Sequence, residues 1–149
     1  MSLRRSAVLA RWLGPWAKPS HVPSGVTRRT VAILPEIDGD REIEGLFYLP
    51  ANGRPRGAYL VAPGLHYLGP ADPRLDRLCR VFAAGGLAVF CPFLPDHRAL
   101  RVTPRAPGDL ERAFETLLRQ PEIPAGMRPA VFSISFGSLP ALRLTAGAR

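Results

Sequence analysis

The sequence predicts an α/β fold: a mostly parallel sheet, in strand order 1-2-4-3-5, with helices on both faces. Three observations predict it. Apolar runs of five to eight residues recur along the chain from Thr30 onwards. The later runs are separated by stretches with helical periodicity, and strands that alternate with helices give a parallel sheet. Gly and Pro, 14 and 17 in number, sit mainly between these segments, where they act as punctuation.

In chain order, "TVAILPEI" reads as the first strand, over about 30–37. "DGD" at 38–40 is a turn signal. "EIEGLFYLP" supplies a second strand over about 42–49, pairing with the first as a hairpin. "ANGRPRG" is a loop. "AYLVAPG" supplies a third strand at 58–63, apolar almost throughout, as expected when both faces are covered. In "ADPRLDRLCRVFAAGG", Asp72 suits an N-cap and Pro73 the first helical position. Leu75, Leu78, Cys79 and Phe82 form the inward stripe, and Gly85 and Gly86 end the helix. "LAVFCPF" is the fourth strand, at 87–93. "GDLERAFETLLRQP" is a helix capped by Asp109, with Leu110, Phe114, Leu117 and Leu118 facing inward. "PAVFSI", at 129–134, is the fifth strand, and "SLPALRL" opens a last helix whose Pro140 is tolerable only in the first turn. Strands 1 and 2 are expected antiparallel and the other pairs parallel.

Residues 1–29 differ from the rest and form a basic, amphipathic segment followed by a linker; the domain proper is expected over 30–149. Leu9, Trp12, Leu13 and Trp16 recur at helical spacing. Packing on the chain's own domain is the first reading of that stripe. Membrane-surface contact by residues 1–18 is the lesser one.

The 149 residues fit one domain with a real core. Net charge is +8, and Lys18 is the only lysine among 20 cations. The arginines are scattered, with no run of four and no zinc-ligand spacing. They read as solvated helix faces, and no nucleic-acid partner is expected. An acidic-polymer binder is the weaker alternative. Cys79 and Cys91 lie in apolar company and read as buried thiols. No run approaches 18 apolar residues, and Arg11 and Pro15 interrupt any signal peptide, so a cytoplasmic protein is the expectation.

The chemistry lies in "AVFSISFGSLPALRL", residues 130–144. Ser133-x-Ser135-x-Gly137 resembles the G-x-S-x-G nucleophile elbow, with serine for the first glycine. A short motif of this kind recurs by chance. Its context here, an apolar strand before and a helix after, is the one the elbow requires. "APGLHYLGP" follows the third strand, where a loop supplies an oxyanion donor in such enzymes. From about Thr30 to Arg149 the chain resembles the N-terminal half of an α/β-hydrolase, with Pro63-Gly64-Leu65 in the family's His-Gly-x place.

The resemblance implies a serine hydrolase acting on an ester, thioester or amide as small-molecule acyl substrate. Ser135 would be the nucleophile, Leu65 and Phe136 the oxyanion N–H donors, Ser133 and Gly137 the small residues of the elbow. It implies no metal and no organic cofactor. The family's acid and base follow the nucleophile in sequence, whereas His21, His66 and His97 all precede Ser135. The chain therefore reads as a truncated hydrolase without its triad Asp and His. His66 is the lesser candidate for a base. His97 and Asp96 read as partly exposed residues of a loop or turn. The rival from another class is a non-catalytic remnant or interaction module. In either case self-association, or pairing with a missing C-terminal half, is expected through the open sheet edge.

Overall fold

A computed structural model describes residues 3–13, 20–35 and 40–147. Trp16, residues 38–39 of the expected turn and the last residues of the first expected strand lie outside them.

Helix α1 spans Leu3–Leu13. Strand β1 runs Thr27–Ile33, three residues earlier than expected, and pairs antiparallel with β2, Ile43–Leu49. Then come β3 (Ala58–Ala62), α2 (Pro73–Ala84), β4 (Ala88–Pro92), the single turn α3 (Pro95–Arg98), α4 (Ala106–Leu118), β5 (Ala130–Ser133) and α5 (Ser138–Gly147). The sheet order is β1-β2-β4-β3-β5, as the sequence predicts.

One direction differs. β2 pairs with β4 antiparallel, whereas β3 is parallel to both β4 and β5. The sheet is therefore mixed, half of its four pairings antiparallel, rather than mostly parallel. The cause is the short link from β2 to β3. Only residues 50–57 join them, turned at Pro50, whose carbonyl accepts from Gly53 N–H at 2.8 Å. A parallel return needs a crossover of a dozen residues or more. β3 must reverse, and β4, tied to β3 through α2, reverses with it.

Helices cover both faces. Leu60 and Phe90 face one side and pack with Leu110, Ala113 and Leu117 of α4 and Ala141 of α5. Val61, Val89 and Cys91 face the other and pack with Cys79 and Ala83 of α2. This alternation explains why β3 and β4 read as unbroken apolar runs. Both thiols are buried and unbridged, and burial beside Cys79 pushes the Cys91 thiol upward. Val81 is also fully buried, although the helical stripe omitted it.

Two helix assignments are corrected. α4 starts at Ala106 with Pro107 in its first turn, so Asp109 lies inside the helix and is not its cap. Its carboxylate instead accepts from Arg112 at 2.8 Å and from Arg41 at 2.5 Å. Leu118 is 37% exposed, at the helix end beyond the core stripe.

α1 packs against α2, and Arg77 of α2 donates to the carbonyls of Trp12 (2.6 Å) and His21 (2.8 Å). No helix among the described residues is long and apolar enough to cross a membrane.

Candidate active site

β5 ends at Ser133, and Ile134 N–H still reaches Ala62 O at 3.1 Å. The chain then turns sharply. Ser135 has φ +50°, and residues Ser135–Gly137 form one 3-10 turn that feeds α5. A non-glycine residue in the left-handed region carries backbone strain, held here by the flanking strand and helix. Gly137 N–H closes the turn onto Ile134 O at 2.9 Å, and Ser138 Oγ donates to Ser135 O at 2.8 Å.

The turn lies hard against β3. A Cβ on Gly137 would stand 2.3 Å from Ala62 O and 2.7 Å from Pro63 O, so only glycine fits. One on Gly64 would meet Ile134 O at 3.1 Å and Ser135 Cβ at 3.2 Å. The 63–65 loop and the Ser135 turn thus touch through two small residues. Ser133, opposite Ala62 in the ladder, is exposed.

Between them opens a cavity of about 350 Å³. Ser135, Leu65, Gly64 and His66 line it, with Asp72 and Leu78 of the α2 side opposite. Phe136 does not line it, and its side chain is half-exposed. A second cavity, of about 480 Å³, lies between the 102–107 segment and the start of α5.

His66 is brought to the cavity but is already engaged. Its Nδ1 accepts from Leu68 N–H at 3.3 Å, which places the hydrogen on Nε2, facing Asp72 Oδ2 at 3.4 Å. Neither nitrogen presents a lone pair to Ser135. Asp72 is itself committed. It caps α2 by accepting from Arg74 N–H (2.9 Å) and Leu75 N–H (3.4 Å), and the Arg74 guanidinium bonds both its oxygens at 3.0 Å. The Arg74 side chain first, then these N–H groups, hold the Asp72 carboxyl down to about 2.

Asp96 and His97 are corrected. Both are buried, at 5% and 2% exposure, on α3 rather than in an open loop. Asp96 is held by Arg41 (2.8 and 3.2 Å) and accepts from Thr103 Oγ1, which keep its carboxyl at about 2. His97 Nδ1 lies 2.9 Å from Pro63 O. The sequence did carry a signal for this turn. Pro95 stands at its first position and Asp96 in its first turn, both helix-start preferences. Among the described residues no cluster of three His, Cys, Asp or Glu side chains could hold a metal ion.

No protein-family model and no curated protein matches the chain. Solved structures do. It is similar to a dienelactone hydrolase from Anabaena variabilis ATCC 29413 (21% identity, TM-score 0.64, covering 83% of this chain and 59% of that one). It is similar to a dienelactone hydrolase-like promiscuous phosphotriesterase from metagenomic libraries (22%, 0.63, 83% and 55%). A cold-adapted esterase from an Arctic intertidal metagenomic library matches at 16% identity and TM-score 0.63, over 86% of this chain and 58% of that one. The chain spans little more than half the length of these structures.

Proposed function

From a chain whose fold is that of the α/β-hydrolases, we propose a serine hydrolase of small-molecule esters, thioesters or amides, with Ser135 as nucleophile. The observation that carries this is the backbone of Ser135: φ +50° at a strand-to-helix turn, on the wall of a cavity shared with Leu65. Strain of this kind costs stability, and functional sites are where it collects.

In the proposed reaction Ser135 Oγ attacks the substrate carbonyl carbon. Its proton passes to a base, and the carbonyl π pair moves onto oxygen. The N–H groups of Leu65 and Phe136 receive that oxyanion; one such donor lowers the barrier by about 3–4 kcal/mol. Return of the pair expels the alcohol, thiol or amine, which takes up the proton. Water then hydrolyses the acyl-serine to a carboxylate and regenerates Ser135.

The base and its acid are the parts the described residues do not offer. His66 is turned to Leu68 and Asp72, and His97 is sealed in the interior. We assign both missing roles to residues outside this sequence. A serine without a base is a weak nucleophile. The chain by itself is therefore expected to turn over activated esters feebly or not at all.

The test is labelling with a fluorophosphonate, followed by mapping of the modified peptide. Label on Ser135 that vanishes in Ser135→Ala supports the reading. Label elsewhere only, or turnover that survives Ser135→Ala, overturns it. Vigorous turnover lost in both Ser135→Ala and His66→Ala would make His66 the base.

A second reading rests on β5, which is the last strand of the sheet and is largely exposed. There the chain would be a non-catalytic module that pairs with another chain along that edge. Absence of label together with stable association would favour it.

A further inference from the structure

His97 is a poor choice for a residue whose only task is to fill space. It is 2% exposed, and its Nε2 is sealed from solvent with no partner among the described residues. A leucine would fill the volume without an unmet acceptor, and buried polar groups left unmet cost stability. What the imidazole does provide is one bond, from Nδ1 to Pro63 O at 2.9 Å. A carbonyl only accepts, so Nδ1 carries the hydrogen and Nε2 is bare.

Pro63 O is the carbonyl of the peptide leading into Gly64, and Leu65 follows. The same oxygen also lies close to Gly137, where a Cβ would stand 2.7 Å away. The neighbouring residue of α3 grips the other end of the loop. Arg98 Nε donates to Tyr67 O at 3.2 Å, and its methylenes pack where a Cβ on Gly69 would lie 3.2 Å off. α3 is in turn fixed to β2's approach and to the segment before α4: Asp96 bonds Arg41 at 2.8 Å and accepts from Thr103 Oγ1. A single helical turn thus holds Pro63–Gly69 at both ends, from a base anchored elsewhere in the fold.

We propose that His97 is a positioning residue: through Pro63 O it fixes the Pro63–Gly64 peptide, and so anchors the start of the loop from which the N–H of Leu65 is offered to the cavity beside Ser135. This rests on the reading of residues 63–65 as the oxyanion loop. Its function is orientation, not proton transfer at Ser135: Nδ1 is engaged by Pro63 O, and the ring borders the second cavity, not the one that Ser135 lines.

The test reads the loop directly and does not need turnover. Amide hydrogen exchange is followed residue by residue in the wild type, His97→Leu and His97→Asn. Asparagine can place a side-chain N–H near the position of Nδ1. The expected result is exchange at Gly64 and Leu65 faster by about tenfold or more in His97→Leu, because the local opening that limits exchange becomes easier. Amides of β4 and α2 should stay near their wild-type rates, and His97→Asn should recover most of the loss. Ring-nitrogen spectra of the wild type should show the hydrogen on Nδ1. Unchanged exchange at Gly64 and Leu65, or an increase spread evenly over the sheet, overturns the proposal. If His97→Leu does not fold, the wild-type ring spectrum and His97→Asn decide: a hydrogen on Nε2, or a loop in His97→Asn as open as one with no donor, overturns it too. Failure of Ser135 to take the fluorophosphonate would leave these exchange results intact and strike only the catalytic reading, so the two failures are distinct.

Discussion

At the scale of single residues, the site is built from one strained serine and two glycines with different tolerances. Ser135 at φ +50° occupies a region that glycine enters without strain. Ser135→Gly should therefore be more stable than Ser135→Ala by about 1 kcal/mol, although both abolish the proposed chemistry. Matched denaturant unfolding curves check this, and equal midpoints would mean that the turn is not strained. The glycines are graded by what a methyl group would meet. On Gly137 it would press on Ala62 O at 2.3 Å, on Gly64 only on Ile134 O at 3.1 Å. Gly137→Ala should cost about 3 kcal/mol and Gly64→Ala about 1 kcal/mol, read as shifts in midpoint at constant m value. The reverse ranking would place the close approach elsewhere. Ser135 and Gly137 were legible in the sequence because a tight turn demands small residues at fixed spacing. His97 was not. A lone histidine carries no spacing, and its meaning comes from a carbonyl 34 positions earlier in the chain.

At the scale of elements, local chemistry was legible where the signal was local. Asp72 and Pro73 start α2 as read, because a cap acts within three residues. Asp109 looked like the same signal, but the helix had begun at Ala106 and the carboxylate was claimed by Arg41, 68 positions away. The direction of β2 relative to β4 was missed for a related reason: it depends on how far residues 50–57 can carry the chain, not on any run of side chains. The two acids held low make a prediction about pH. The Asp72 and Asp96 carboxyls sit at about 2 in the fold, against about 3.9 in an unfolded chain. The unfolded state therefore binds protons first on acidification. The stability these groups contribute is fully present above about pH 4 and lost as the pH falls towards 2. Thermal melts from pH 5 to 2 should show this acid limb, shallower in Asp72→Asn and in Asp96→Asn. Asp72→Asn keeps a cap, whereas Asp72→Ala should lose about 1 kcal/mol at every pH. An acid limb of the same depth in both Asn variants would show that other carboxyls govern it.

At the scale of the whole molecule, the sheet is unevenly finished. β1 is tied to both faces of the sheet by ion pairs of consecutive residues, Arg28 to Asp76 and Arg29 to Glu122, both at 2.7 Å. β5, at the other end, pairs only with β3 among the described residues. Phe132 is 36% exposed there, and Leu139 and Leu142 of the following helix are 48% and 67% exposed. Phe132 stands at the outer end of an aromatic cluster with Phe82 and Tyr59, at ring separations of 5.2 and 6.4 Å, so its exposed side continues an apolar surface. This edge was legible in sequence: an apolar strand placed last in the order pairs on one side only, as β5 does among the described residues. Water can meet its free N–H and C=O groups but not its side chains. An apolar edge of this kind templates pairing with another strand. The protein should therefore self-associate at micromolar concentration, as seen by size-exclusion chromatography with light scattering. Phe132→Lys should shift it towards monomer, because a charge on an edge strand opposes pairing. Leu142→Glu, on the helix beside the edge, should do the same if the leucines are part of the contact. A wild-type protein that is a clean monomer with a sharp thermal transition would contradict this. It would mean that the apolar edge of β5 is covered in solution.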